Sequence, residues 1–321
     1  MKKSSILLFI LTPILIIFII INLNLNIQKN NLKTQNSNIE SMYKLQNKYL
    51  EFQKFSRNIG SDLLFLSELS TITSLINSKT SNEFNNNSIK VTNDFKNLIS
   101  ENAQIYQIRY INNLGIEKIK LQKTPNSPLK IFPKIELQNK SLRPYINKTL
   151  KLSKSDIYIS KIDLNIENQK LETITKNGIT NYVPMIRFAI PLFDKNNNSK
   201  GLIIINLYMD YYLDLIRFEK SKDSNMILID NLGNYLANQN RSKEFGNILN
   251  ISENFFTDYP TIPKTILTEN LIEYKILNKT FKIKYIYPTL KSFEIYEGSK
   301  KNYGTNSENN YFLAIIHIQN N

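Results

Sequence analysis

Two stretches of this chain, far apart, are written in nearly the same words. QIRYINNLGIEKIKL occupies residues 107–121 and NMILIDNLGNYLANQ residues 225–239, and they align without a gap, INNLG at 111–115 over IDNLG at 229–233. Each reads as strand, Asn-Leu-Gly turn, strand, with a glycine where the turn needs a residue that tolerates positive φ. The separation is far too long for a solenoid repeat. It suits one structural unit used twice, in tandem domains of about a hundred residues each, a common domain size.

The two units continue alike. After the first hairpin come a helical stretch, LQNKSLRPYINKTLKL, and the strands IYISKID, VPMIRFAIPLFD and KGLIIINLYMD, the last two joined by a KNNNSKG turn. After the second come RSKEFGNILN and the strands TFKIKYIYPT and NYFLAIIHI, and DYYLDLIRF (210–218) links the units. Each reads as an antiparallel sheet of about five strands with helices on one face, an α+β layer arrangement.

Upstream the character differs. Lys2 and Lys3 precede an apolar run from Ile6 to Ile21, extended by Leu23, Leu25 and Ile27. A helix needs about 17–25 largely apolar residues to cross a bilayer. The lysines place the N-terminus in the cytoplasm and the remainder outside. INLNLNIQ lacks the small residues of a signal-peptide cleavage site, which favours an uncleaved anchor. From Met42 the positions Met42, Leu45, Tyr49, Phe52, Ser56, Ile59, Leu63 and Leu66 step by 3 and 4 alternately, with Ser56 the polar exception. This predicts a long helix rising from the membrane, its stripe packed on the chain's own core or paired with a second copy. SKTSNEFNNNS (78–88) reads as a polar loop before a shorter helix, VTNDFKNLISENA.

Composition narrows the function. The 321 residues carry 41 basic and 27 acidic side chains, a net charge of +14, but the lysines are spread along the whole chain rather than gathered in a nucleic-acid-binding patch. The absence of cysteine excludes disulfides, thiolate metal sites and a cysteine nucleophile. The single histidine, His317, makes neither a triad nor a metal cluster, and there is no glycine-rich phosphate loop. No enzyme constellation emerges, and no cofactor is implied.

A binding site is better supported. In VPMIRFAIPLFD (183–194) side chains alternate faces, so Met185, Arg187 and Ala189 share one. An arginine is almost never buried without a partner. Arg187 either pairs internally with Asp163, Glu167 or Asp194, or presents its guanidinium to a carboxylate or phosphate in the space that small Ala189 leaves. Arg143 and Tyr145, around Pro144, form a second candidate, against the alternative of a surface arginine beside a half-buried tyrosine. Tyr158 and Asp163 flank the same face if IYISKID lines it. Asp163, Asn165, Glu167 and Asn168 equally suit backbone capping in a turn-rich stretch. Arg109, mid-strand, ranks below Arg143 because nothing small beside it opens space.

Taken together, YQIRYINNLGIEKIKL, LQNKSLRPYI, IYISKIDLNIENQKLE, VPMIRFAIPLFD with KGLIIINLY, and MILIDNLGNYL followed by EFGNIL resemble the double-Cache extracytoplasmic sensor region of bacterial histidine kinases, diguanylate cyclases and chemoreceptors. The resemblance spans about residues 104–250, with agreement of strand pattern alone beyond it. It implies a transmembrane anchor over 1–27, a stalk helix over 28–77, a membrane-distal PAS-like domain over 78–215 and a membrane-proximal one over 216–321. It also implies a pocket in the distal domain for a small carboxylate, amino acid or amine, with Arg143 and Tyr145 at its mouth and Arg187, Tyr158 and Asp163 on its walls. In one branch of these sensors an Asp clamps the ligand amine. Asp163 lies near that place, in KIDLN, without the rest of the signature. A family member continues into a second span and an output domain, whereas this sequence ends at Asn321. The expectation is a single-pass inner-membrane sensory module without its own output domain, dimerising through the stalk. The other reading is a non-sensing extracytoplasmic interaction protein or the remnant of a split receptor.

Overall fold

The computed structural model describes residues 3–125, 127–176, 178–221, 223–269, 272–276, 278–288, 305–307 and 311–320, with the backbone alone for 3–16, 176, 179, 220–221 and 305–307. Contacts divide the chain into two compact units, Met1–Asn47 and Lys48–Asn321. The first is helical over its described length and is the N-terminal part of helix α1 (Lys3–Glu68). Most side chains of the expected anchor, Ile6 to Ile21, lie outside the described residues. Among the described residues no single helix is long and apolar enough to cross a membrane. The pair Ile17–Glu68 and Ser70–Ile76, bent by 59°, meets the requirement by length and composition.

In the second unit the heptad positions Phe52, Ile59, Leu63 and Leu66 are buried, so this half of the stripe packs on the chain's own core. Leu69 turns extended (φ −62°, ψ 141°) and separates α1 from α2 (Ser70–Ile76). Helix α3 then runs from Ser81 to Glu101. The polar stretch expected as a loop is therefore helical from Ser81. The cause is a reciprocal cap: Thr80 Oγ1 accepts the Glu83 N–H at 3.1 Å, and the Glu83 carboxylate accepts the Lys79 N–H at 2.8 Å. Downstream, Val91, Phe95 and Ile99 recur at helical spacing and are buried, anchoring the asparagine-rich first half that has little to bury of its own.

The first hairpin is β1 (Ile105–Asn112) with β2 (Glu117–Gln122), and β3 (Lys130–Ile131) lies beside β2. Helix α4 (Pro144–Leu150) follows, then β4 (Ile157–Ile159) and β5 (Asp163–Leu164). Two small hairpins come next, β6 (Ile166–Glu167) with β7 (Lys170–Leu171), and β8 (Thr173–Lys176) with β9 (Ile179–Tyr182). The long pair β10 (Pro184–Phe193) and β11 (Ser199–Tyr208) completes this half. Helix α5 (Asp210–Arg217) leads to β12 (Lys220–Ser221) and the second hairpin, β13 (Ser224–Asp230) with β14 (Tyr235–Ala237). Three single-turn helices, α6 (Gly246–Leu249), α7 (Phe255–Asp258) and α8 (Thr265–Thr268), precede β15 (Glu273–Ile276), β16 (Lys279–Ile286), β17 (Thr305–Ser307) and β18 (Leu313–Asn320).

The duplication read from the sequence is real in the topology. One sheet contains the order β4-β10-β11-β1-β2, the other β15-β16-β18-β13 with β14 on β13, all antiparallel. Both turn glycines have positive φ, 77° at Gly115 and 86° at Gly233. The sheets exceed five strands because β3, β5 and β17 extend the first and β12 the second, β17 joining β4 in parallel. Over the first sheet, Ile146 of α4 packs on Ile111, Ala189, Leu202 and Ile204. Over the second, Phe255, Ile262 and Ile266 pack on Ile227, Phe281, Ile283 and Ile316.

Candidate ligand-binding site

Strand register assembles the site. Gln107 of β1 stands opposite Asn206 of β11, which stands opposite Arg187 of β10. One row along, Arg109 faces Ile204, which faces Ala189, which faces Tyr158 of β4. Residues two apart on a strand share a face, so the row Gln107, Asn206 and Arg187 borders the apolar patch under α4. These groups are buried, and burial obliges them to find partners. The Asn206 amide donates to Gln107 at 3.1 Å and its oxygen accepts Arg109 Nη2 at 2.8 Å, while Arg109 Nη1 meets Glu117 at 3.2 Å.

Arg187 points out of this row toward β5. Its Nη1 donates to Asp163 Oδ1 at 2.5 Å and its Nη2 to Asn165 Oδ1 at 3.1 Å. The Tyr145 ring lies 5.6 Å from the guanidinium carbon, a cation–π distance. Burial works against the Arg187 charge, but the Asp163 carboxylate outweighs it and the pKa is raised. Of the three internal partners open to Arg187, Asp163 is the one that pairs with it, and the same guanidinium also lines a cavity.

That cavity, about 90 Å³, is bordered by Arg109, Lys140, Arg143, Pro144, Tyr145, Asp163, Leu164, Asn165, Ile166, Glu167 and Arg187. Four of the five residues singled out from the sequence, Arg143, Tyr145, Asp163 and Arg187, meet there. Tyr158 does not border it and is buried in the apolar cluster with Ile146 and Ala189. Pro144 opens α4 at its first turn, which its fixed φ and missing N–H suit. This leaves Arg143 as the preceding extended residue, half-buried at the wall, its guanidinium without a hydrogen bond or ion pair among the described residues. Asp163 is 43% exposed at its side chain and spends one oxygen on Arg187, the other accepting nothing among the described residues.

On the other wall, sequence reasoning named Glu167 only as a partner of Arg187 or a backbone cap and ranked Arg109 low, and it missed Glu117, Lys120 and Lys140. Glu167 accepts the Gln107 and Gln138 side-chain amides at 2.9 and 3.1 Å and pairs with Lys120 at 3.2 Å and Lys140 at 3.5 Å. Burial alone would raise its pKa, but Lys120, Lys140 and Arg109 together bring it down to about 2. Burial lowers the Lys140 pKa in spite of Glu167. Charge alone was no clear signal, because β2 carries Lys118 beside Glu117 and Lys120 and only the structure shows that Lys118 is the exposed one. Among the described residues no group of acidic or histidine side chains is arranged to hold a metal.

The second sheet carries an aromatic ring where the first carries Arg187, and a separate pocket of about 230 Å³ is bordered there by Ser224, Asn225, Gln239, Tyr259, Lys279, Ile318 and Asn320. The row equivalent to Gln107, Asn206 and Arg187 is Asn225, Ile318 and Phe281. Phe281 is fully buried against Phe255 and Tyr259, with ring centroids at 6.1 and 5.0 Å.

Comparison with known proteins agrees with this fold. A family model described as the sensor domain of bacterial histidine kinases matches residues 35–271. A solved domain of a sensory box/GGDEF family protein from Vibrio parahaemolyticus superposes with a TM-score of 0.68 at 18% identity, covering 88% of this chain and 95% of that one. The extracellular domain of vpHK1S-Z8, named as a histidine kinase, does so with 0.68 and 18% over 89% and 92%. The periplasmic sensory domain of the Campylobacter jejuni chemoreceptor Tlp1 gives 0.52 at 12% over 86% and 92%. No curated protein matches the sequence. The two-sheet Cache-like fold and a model match over most of its length place the chain in the family of bacterial histidine kinase sensor domains.

Proposed function

We propose that this chain is the extracytoplasmic, ligand-sensing part of a bacterial signal-transduction receptor, held to the inner membrane by its N-terminal segment with the N-terminus inside. Its distal domain, over 78–215, takes a small ligand bearing one carboxylate and one positive or hydrogen-bonding group, such as an amino acid. The proximal domain, over 216–321, has Phe281 at the position of Arg187. The observation behind the ligand class is the unpaired Arg143 guanidinium on one side of the cavity and the half-exposed Asp163 carboxylate on another. A guanidinium is a planar two-pronged donor that matches a carboxylate, and an unpaired carboxylate oxygen suits an ammonium.

Support for the anchor comes from Lys2 and Lys3 ahead of the apolar run, and from Ile17, Phe18, Ile20 and Ile21, which stand at least half exposed on α1. Pairing of two copies through the stalk is favoured by Leu32, Ile39 and Tyr43, all exposed and spaced by seven and four residues. The ligand signals only through a difference in its affinity for two arrangements of helix and sheet.

The test is a thermal-shift screen of the full chain in detergent against amino acids, simple carboxylates and amines. An amino acid or monocarboxylate should raise the melting temperature saturably, and Arg143→Ala should remove the shift while leaving the unliganded melting temperature unchanged. Full affinity in Arg143→Ala, or no shift with any of these compounds, rules the reading out.

A further inference from the structure

The cationic wall of the cavity is already occupied, by the protein's own carboxylate. Lys120 and Lys140 are 1% and 5% exposed at their side chains, and for each of them Glu167 is the carboxylate within salt-bridge distance. Arg109, on the same wall, is neutralised by Glu117 rather than by Glu167. We infer that Glu167 is the specificity-determining residue of the site: it stands where a second ligand carboxylate would bind, and so restricts the pocket to ligands with a single carboxylate, held by Arg143. This rests on the cavity being the ligand site proposed above.

Three observations carry it. The first is chemical. Two buried ammonium groups need an anion, and the two side-chain amides and two lysines that surround the Glu167 carboxylate would serve a ligand carboxylate in its place. The second is positional. Glu167 borders the cavity together with Lys140, Arg109 and Arg143, and Lys120 lies behind its carboxylate at 3.2 Å, so removing that carboxylate turns both ammonium groups toward the same space.

The third is conformational. Glu167 sits immediately before the turn of the β6–β7 hairpin, whose two turn residues, Asn168 and Gln169, both have positive φ, 48° and 63°. Such a turn is comfortable for asparagine or glycine and strained for glutamine, and strain of this kind persists only where the surroundings fix it. Here Gln138 donates to both Glu167 and Asn168, and the Asn165 amide donates to Glu172 at 2.6 Å just past the hairpin. The fold therefore holds the carboxylate in place instead of leaving it to wander as a surface side chain.

The experiment is a comparison of wild type with Glu167→Ala in the full chain, titrating succinate at constant ionic strength and reading the melting temperature. Removal of the carboxylate should let succinate bind at least about tenfold more tightly than to wild type. The gain should vanish in Glu167→Ala combined with Lys120→Gln. If Glu167→Ala does not fold, Glu167→Asp, one methylene shorter, should show a smaller gain in the same direction. Equal succinate response in wild type and the Glu167 variant, or a gain that survives Lys120→Gln, overturns the inference. A wild type that responds to amino acids or monocarboxylates while the variant ignores succinate sinks the role of Glu167 alone. A wild type that responds to none of them sinks the ligand site beneath it.

Discussion

Arg187 and Phe281 hold the same position in the two sheets, each the third residue of the row that starts at the equivalent strands β1 and β13. One sheet spends that position on a hydrogen-bonded charge, the other on an aromatic ring wedged between Phe255 and Tyr259. The same backbone position therefore serves a charged cavity wall in one half and an apolar core in the other. The difference should be measurable as stability. Phe281→Ala deletes a buried ring and should cost about 3–5 kcal/mol. Arg187→Ala leaves Asp163 free to hydrate and orphans chiefly Asn165 Oδ1, for about 1–3 kcal/mol. Urea denaturation of the two variants gives the comparison. Arg187→Ala costing more than Phe281→Ala would contradict it.

Glu167 should make the protein acid-sensitive over a defined window. Its folded pKa, about 2, lies below the ordinary value of 4.5 because Lys120, Lys140 and Arg109 outweigh burial. A depressed carboxylate contributes stability that is fully present above the unfolded pKa and lost as pH falls through the folded one. The contribution is on the order of 3 kcal/mol and should disappear between about pH 4.5 and pH 2. Glu167→Gln should be less stable than wild type at pH 7 and converge with it toward pH 2. Parallel stability curves for the two proteins over that range would refute the assignment.

The sheets were legible because their periodicities are local. The duplicated Asn-Leu-Gly hairpin and the long apolar strands gave the order of elements, and the lone arginine in VPMIRFAIPLFD borders a cavity. Ala189 does not open the space that its size suggested: the room beside it is filled by Ile146, and the cavity that Arg187 borders lies one row away. Glu117 and Lys120 were illegible for a different cause. Strict alternation puts residues three apart on opposite faces. A bulge shifts the register between Tyr110 opposite Ile119 and Ile111 opposite Glu117, which returns Glu117 to the face of Lys120 and Arg109. Glu167, in the two-residue strand β6, and Lys140, between strands and helices, meet only in three dimensions, so no spacing in the sequence announces them.

Between the two sheets, Arg217 should behave as a clamp that cannot be cut on one side. It is 3% exposed, donates to both Glu244 oxygens at 2.7 and 2.6 Å, and meets Asp210 and Asp214 from its remaining nitrogen at 2.5 and 2.8 Å. Burial favours the neutral form of Glu244, and its pKa is raised even with Arg217 present. Arg217→Met strands that carboxylate and should cost about 3–5 kcal/mol. Adding Glu244→Met should recover part of the loss, since two apolar groups replace an unpaired charge. Strictly additive losses in chemical denaturation would show that the pair is not coupled.

Gly201 tests whether the candidate site depends on the close approach of β1 and β11. Its φ is 131°, a backbone region that side chains avoid, and a Cβ there would lie 2.2 Å from the Ile111 carbonyl oxygen and 2.8 Å from Asn112 Cα. Both obstacles are backbone, so no rotamer change relieves them. Gly201→Ala can be accommodated only by forcing β1 away from β11, the two strands that carry Arg109 and Asn206 in hydrogen-bond contact at 2.8 Å. The substitution should cost about 4 kcal/mol or more and weaken ligand binding in whatever fraction still folds. Gly178 is the matched control. It too has positive φ, 77°, but nothing lies within 4 Å of its would-be Cβ. Gly178→Ala should therefore cost only the left-handed backbone penalty, about 1–2 kcal/mol, with affinity untouched. Similar losses for the two alanines in paired denaturation and ligand-shift measurements would mean that backbone conformation, not strand separation, dominates at Gly201.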